Sequence, residues 1–144
     1  METITISFDL TSTDYSRGLG FEVFSNNKQI LNIDHVRSNS PVRLTLDVEE
    51  GDQQLRFVMK NKIGDWTTVD DDGNIIKDAC LNISDFTIDC VELGHTFLEK
   101  SKYHHDFNGT RAPVAEYFNG AMGCNGEVRF EFQSPVYLWL VTNM

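Results

Sequence analysis

Basic residues are scarce in this chain: 12 Lys and Arg stand against 22 Asp and Glu, a formal charge of −10. Phosphate backbones are held by clustered Lys and Arg, so nucleic acid is excluded as an expected partner. Cysteine is also sparse. Cys80, Cys90 and Cys124 are odd in number and too scattered for a Cys-x-x-Cys metal knuckle or redox pair, and they read as reduced thiols serving as small apolar residues. No apolar stretch approaches the roughly 20 residues of a membrane span, and no charged segment followed by an apolar run opens the chain. The expectation is a soluble protein without a membrane span or signal peptide, made in a reducing compartment. A sustained 3.6-residue apolar period is missing as well, which excludes a helical bundle. So are a nucleophile elbow, a Gly-rich phosphate loop and a His-Glu-x-x-His pair, so no catalytic residue is assigned and no enzyme is expected.

What is present is a period of two. Ile4, Ile6 and Phe8 alternate with Thr3, Thr5 and Ser7, an opening strand with one face for a core and one for solvent. Asp9 to Gly20, rich in Thr, Ser, Asp and Gly, reads as a loop. Phe21 to Phe24 and Lys28 to Ile33 flank Ser25-Asn26-Asn27, and because Asn tolerates left-handed backbone a hairpin is predicted there. Val42, Leu44, Leu46 and Val48 alternate after Pro41, and Glu49-Glu50-Gly51-Asp52 is expected to turn that strand into the one ending at Met59, as a second hairpin. Leu81 and Ile83 share one parity while Phe86 and Ile88 share the other, which predicts a β-bulge near Ser84-Asp85. Thr96 to Glu99 and Tyr103 to Phe107 read as short strands, and residues 108–126 as a long loop that lies over something. Val128, Phe130 and Phe132 mark another strand, and the unbroken apolar run from Val136 to Val141 a strand buried on both sides. The sum is an all-β single domain spanning residues 1–144, an antiparallel β-sandwich or jelly roll.

Carboxylates concentrate between two of these strands, at Asp65, Asp70, Asp71, Asp72 and Asp78, with Asp72-Gly73 supplying a turn. An EF-hand is excluded, because with Gly73 in the sixth position Thr68 and Ala79 occupy the first and twelfth. Two readings stand: a non-EF calcium site centred on Asp78 with Asp65 or Asp70, or an acidic turn left in water. His104-His105-Asp106 resembles part of a metal set, but neighbours on a strand point to opposite faces, so exposed or hydrogen-bonded histidines are expected. Trp66 lies beside the acidic turn, with Tyr15, Tyr103, Tyr117 and Phe118 elsewhere outside the long strands. Flat rings near carboxylates suit sugar recognition and protein interfaces alike. Trp66, Asp72 and Tyr117 are the ligand-binding candidates. The 108–126 segment and the final apolar run are expected to face a neighbouring subunit, with Phe118, Tyr137 and Trp139 as interface residues.

The order from Phe21 to Leu93 resembles a family of calcium-dependent xylan-binding modules with a jelly-roll fold. It is carried by the hairpin from Phe21–Phe24 to Ile30, the Gly51–Phe57 strand, the acidic loop from Asn61 to Asp72, and the series Asp78, Leu81, Ile83, Phe86, Ile88, Asp89. The resemblance implies calcium held by Asp78 with Asp65 or Asp70; that family's Asp-Arg-Asn run is replaced here by Asp78-Ala79-Cys80. Leu55 to Lys62, Gly73 to Leu81, Tyr103 to Thr110, Phe118 to Gly126 and Tyr137 to Leu140 together resemble a family of small proteins encoded by tailed, often marine, phages. That resemblance spans nearly the whole chain. It implies a non-enzymatic structural or adhesion component of the virion, in a decoration, tail or fibre-associated place, made in the host cytoplasm and present in repeated copies among other virion proteins. The alternative is a calcium-dependent carbohydrate-binding module, with a cell-surface glycan as partner.

Overall fold

The computed structural model describes residues 1–63, 67–69 and 71–144, and for Thr68, Val69, Ile76 and Lys77 the backbone alone. In chain order its elements are β1 (Glu2–Ser12), β2 (Gly20–Ser25), β3 (Lys28–Ile33), β4 (Ser40–Val48), β5 (Gly51–Lys60), β6 (Thr67–Val69) and β7 (Ile75–Asp78). Then follow β8 (Leu81–Ile88), β9 (Val91–Glu92), α1 (His95–Glu99), β10 (Ser101–His105), β11 (Val114–Tyr117), β12 (Ala121–Met122), β13 (Gly126–Ser134) and α2 (Val136–Asn143). A five-stranded sheet runs β12-β8-β1-β4 with β9 attached to β8, and a six-stranded sheet runs β11-β10-β13-β5-β2-β3. All of their pairings are antiparallel, and the fold is an all-β sandwich.

Alternation builds the core. Ile4, Ile6, Phe8 and Leu10 of β1 face Leu55, Phe57 and Met59 of β5 and Val128, Phe130 and Phe132 of β13, all buried. Rings bridge the two sheets: Phe8 meets Phe57 edge-on at 5.5 Å, and Phe86 meets Phe130 at 5.3 Å. Such pairs add about 0.5–1.5 kcal/mol each beyond their buried area. The β2–β3 hairpin is present with Asn26 at φ 54°, as the Asn-rich turn requires. The bulge in β8 is present too: Thr87 pairs Ser7 and Ser84 pairs Asp9, so two residues oppose one, with Asp85 at φ 56°.

Five sequence expectations need correction. Strand β1 continues to Ser12, so the loop after it begins only at Thr13. β4 and β5 are not a hairpin: β4 pairs β1 in one sheet and β5 pairs β13 and β2 in the other, and Gly51 at φ 110° turns the chain between layers. Thr96 to Glu99 is not a strand but part of α1, entered through Gly94 at φ 53°, and the single turn stacks Phe97 on Phe86 at 4.2 Å. The 108–126 segment is not a bare loop. It contributes β11, which pairs β10, and β12, which pairs β8, so it completes one edge of each sheet.

The final apolar run is not a strand either. Ser101 of β10 stands opposite Phe130, so the last residues of β13 have no strand on that side, and helix α2 packs there, with Trp139 edge-on to Phe130 and Phe132 at 5.7 and 6.3 Å. Val136, Trp139 and Leu140 turn inward at i, i+3, i+4 while Tyr137, Leu138 and Val141 are exposed, a helical division that a continuous apolar run conceals. The Glu2 carboxylate accepts the Val136 N–H at 2.7 Å and the Ser134 hydroxyl at 2.6 Å, placing a negative charge at the helix N-terminus where it is favoured.

Candidate functional site

Two polar regions stand out, one closed and one open. The closed one surrounds Asp78, at the end of β7. Its Oδ1 accepts from the Lys62 ammonium and, at 2.6 Å, from the Thr67 hydroxyl; the Cys80 thiol lies 3.3 Å from Oδ2. Lys62, whose side chain is 1% exposed, also donates to the Gly123 carbonyl. Asn125 fixes the Lys62 backbone on both sides, accepting its N–H at 2.9 Å and donating to its carbonyl at 2.8 Å. Burial raises the Asp78 pKa, but the hydrogen bonds from Lys62, Thr67 and Cys80 outweigh it and hold the carboxyl below its ordinary value. The same environment pushes the Cys80 thiol up to about 11, through burial first and the Asp78 charge second. Burial likewise raises Cys124. Nearby, the Tyr103 hydroxyl donates to the Cys124 carbonyl and accepts its N–H, and His105 Nε2 meets Glu116 at 2.9 Å.

The open region is the outer face of the six-stranded sheet. Register aligns Tyr117, Lys102, Arg129, Arg56 and Phe24 in one row across five adjacent strands. The Lys102 ammonium sits 3.5 Å from the centre of the Tyr117 ring, and the Arg56 guanidinium 4.6 Å from that of Phe24. Glu127, one row away, receives Arg129 at 3.0 Å and Arg56 at 3.6 Å. Beside this row lies a groove of about 900 Å³, lined by Lys102, Arg129, Glu131, Gln54 and Asn26 and by Thr142 and Asn143 of α2. His104 also lines it, and its pKa is lowered by burial and then by the Arg129 charge. Volumes of about 300–1,000 Å³ are typical of small-molecule sites.

Among the residues singled out from sequence, Asp65, Trp66 and Asp70 lie outside the described residues. Asp72 is exposed in the turn between β6 and β7. Among the described residues no three His, Cys, Asp or Glu side chains are grouped to hold a metal. Tyr117 is 69% exposed and joins the open row. Tyr137 is exposed on α2, whereas Phe118 and Trp139, 3% and 7% exposed, lie in this chain's own core. His104 and His105 do point to opposite faces, one into the groove and one onto Glu116. Cys80 and Cys124 are half-buried, but Cys90 is exposed, at φ 69° in the turn before β9, so it is no small core residue. Sequence reasoning missed Lys62, Lys102, Arg129 and Arg56. Each of the last three sits on the polar parity of its strand, and only the cross-strand register, which sequence does not carry, brings them together.

An antiparallel β-sandwich with a polar groove across one outer face is thus what fold and geometry define. No protein-family model, curated protein or solved structure matches this chain.

Proposed function

We propose that this chain is a non-enzymatic structural or adhesion component of a phage virion, set in repeated copies among other virion proteins, whose recognition surface is the outer face of the six-stranded sheet. The observation that carries the adhesion role is the groove. It is built on paired strands, which hold their side chains in fixed register, and is lined by amides, carboxylates and cations suited to a hydrated, polar ligand such as a cell-surface glycan. The exposed Tyr137, Leu138 and Val141 on α2 support contact with neighbouring virion proteins. The virion assignment itself rests on the resemblance to small tailed-phage proteins. Mass spectrometry of purified particles tests it: the protein is expected in the virion in multiple copies, and its absence refutes the reading.

The calcium-dependent carbohydrate-binding alternative is supported by the exposed Asp71 and Asp72 in the β6–β7 turn. Against it stands Asp78, which already has a cation in Lys62. Melting curves decide between them. With Asp78 held by Lys62, millimolar calcium and chelator are expected to give the same melting temperature; a site filled to about a hundred times its Kd would add about 2.7 kcal/mol and restore the alternative.

A further inference from the structure

We infer that the groove on the six-stranded sheet takes a carboxylate-bearing saccharide, with Lys102 and Arg129 receiving the carboxylate and the amides and Glu131 receiving hydroxyls. This deepens the adhesion reading and rests on it. The first ground is the cost of the row. Lys102, Arg129 and Arg56 stand directly opposite one another on three adjacent strands, and like charges so placed destabilise a sheet. Only Glu127 among the described ion pairs answers them, shared by the two arginines, while Lys102 leans on the Tyr117 ring. A chain with a charge of −10 and 12 basic residues has placed three of them in one row.

The second ground is the chemistry around the row. A guanidinium presents a planar fork that matches a carboxylate, and Lys102 adds a point charge on its flank. Gln54 and Gln133 are positioned by hydrogen bonds to Glu131 at 3.4 Å and to Asp52 at 2.8 Å, leaving amide and carboxylate edges along the groove for hydroxyl groups. The acidic side chains Glu99, Asp52 and Glu131 at the same groove disfavour a polyanion, which would meet them along its length. A ligand with one acid group amid hydroxyls satisfies both signs. A uronic-acid-containing oligosaccharide has that chemistry.

The test titrates the full chain by calorimetry with a trisaccharide carrying a single uronate, its methyl ester, a multiply sulfated trisaccharide and a neutral one. The uronate is expected to bind, and the ester and neutral sugars more weakly by about tenfold, the loss of one charged contact. Arg129→Gln and Lys102→Gln, each confirmed folded by circular dichroism, are expected to lose a similar factor for the uronate and little for the ester. The inference is overturned if ester and uronate bind equally, if the sulfated sugar binds best, if both variants bind uronate as wild type does, or if no saccharide binds. Particle mass spectrometry run in parallel separates the two levels. A protein present in virions that ignores uronate leaves the adhesion reading standing; a protein absent from virions removes it whatever the sugar result.

Discussion

The cluster around Asp78 and the row through Arg129 each bring cations and carboxylates together, yet they are finished differently. At Asp78 the ammonium is buried and the carboxylate mostly so, and they are supported by the Thr67 and Cys80 side chains and the Gly123 carbonyl. Among the described residues no buried side-chain nitrogen or oxygen lacks a hydrogen-bond partner. Along the row, like charges face each other across strands, and the two arginines share one carboxylate beside an open groove. Completed pairing at Asp78 holds the fold; the pairing left short on the sheet is the feature on which the proposed ligand site rests.

The largest expected effect breaks the closed region. Lys62→Met strands the Asp78 carboxylate, 22% exposed, without its cation. Removing one partner of a fully buried pair costs about 3–5 kcal/mol, and with this residual exposure the loss is expected at about 2–3 kcal/mol in urea unfolding. Adding Asp78→Asn to that variant should recover part of it. A loss below about 0.5 kcal/mol would place the cluster with ordinary surface pairs and dissolve the contrast.

Acid sharpens the same point. Because the folded Asp78 carboxyl is held below its ordinary pKa, its contribution is present above the unfolded value of about 3.9 and is lost as pH falls through the folded one. Wild type should therefore lose more stability than Asp78→Asn over that acidic interval, measured as melting temperature against pH. Parallel curves would mean that Asp78 is not depressed.

The open region should respond in the opposite manner. Lys102→Gln removes an exposed charge and Arg129→Gln a half-exposed one whose pair with Glu127 is offset by the cations opposite it, so stability is expected to change by less than about 0.5 kcal/mol. A loss of about 2 kcal/mol from either would make the row a structural device and remove the argument for a ligand.

The contrast explains what sequence conveyed. Period-two alternation revealed the strands and the parity slip in β8, because those signals are local. The partner of each strand is not local: the Glu49–Asp52 turn looks the same whether it closes a hairpin or crosses between sheets, as it does here. Val136 to Val141 is apolar on every side, so no period could distinguish the strand expected from the helix found. Asp78 was legible as a carboxylate needing a partner, but Lys62 lies sixteen positions away and reads as just another strand-end lysine. The row of cations was invisible for the same reason.

The smallest effect is a rate. Thiolate is the reactive form of cysteine, and with Cys80 pushed up to about 11 only roughly a thousandth of it is ionised at pH 8. Exposed Cys90 should therefore react first with iodoacetamide in the native protein, followed slowly by the half-buried Cys80 and Cys124, as read by peptide mass spectrometry. Asp78→Asn removes a charge that disfavours the Cys80 thiolate, so labelling of Cys80 should accelerate in that variant while Cys90 keeps its rate. The Asp78 charge disfavours the Cys124 thiolate as well, so Cys124 is expected to follow Cys80 in that variant; global loosening would instead speed amide hydrogen exchange through the core strands, and measuring that exchange separates electrostatic release from unfolding. If Cys80 in wild type labels as fast as Cys90, the Asp78 cluster is open to solvent and reagent, and the division between a closed region and an open one fails at its first member.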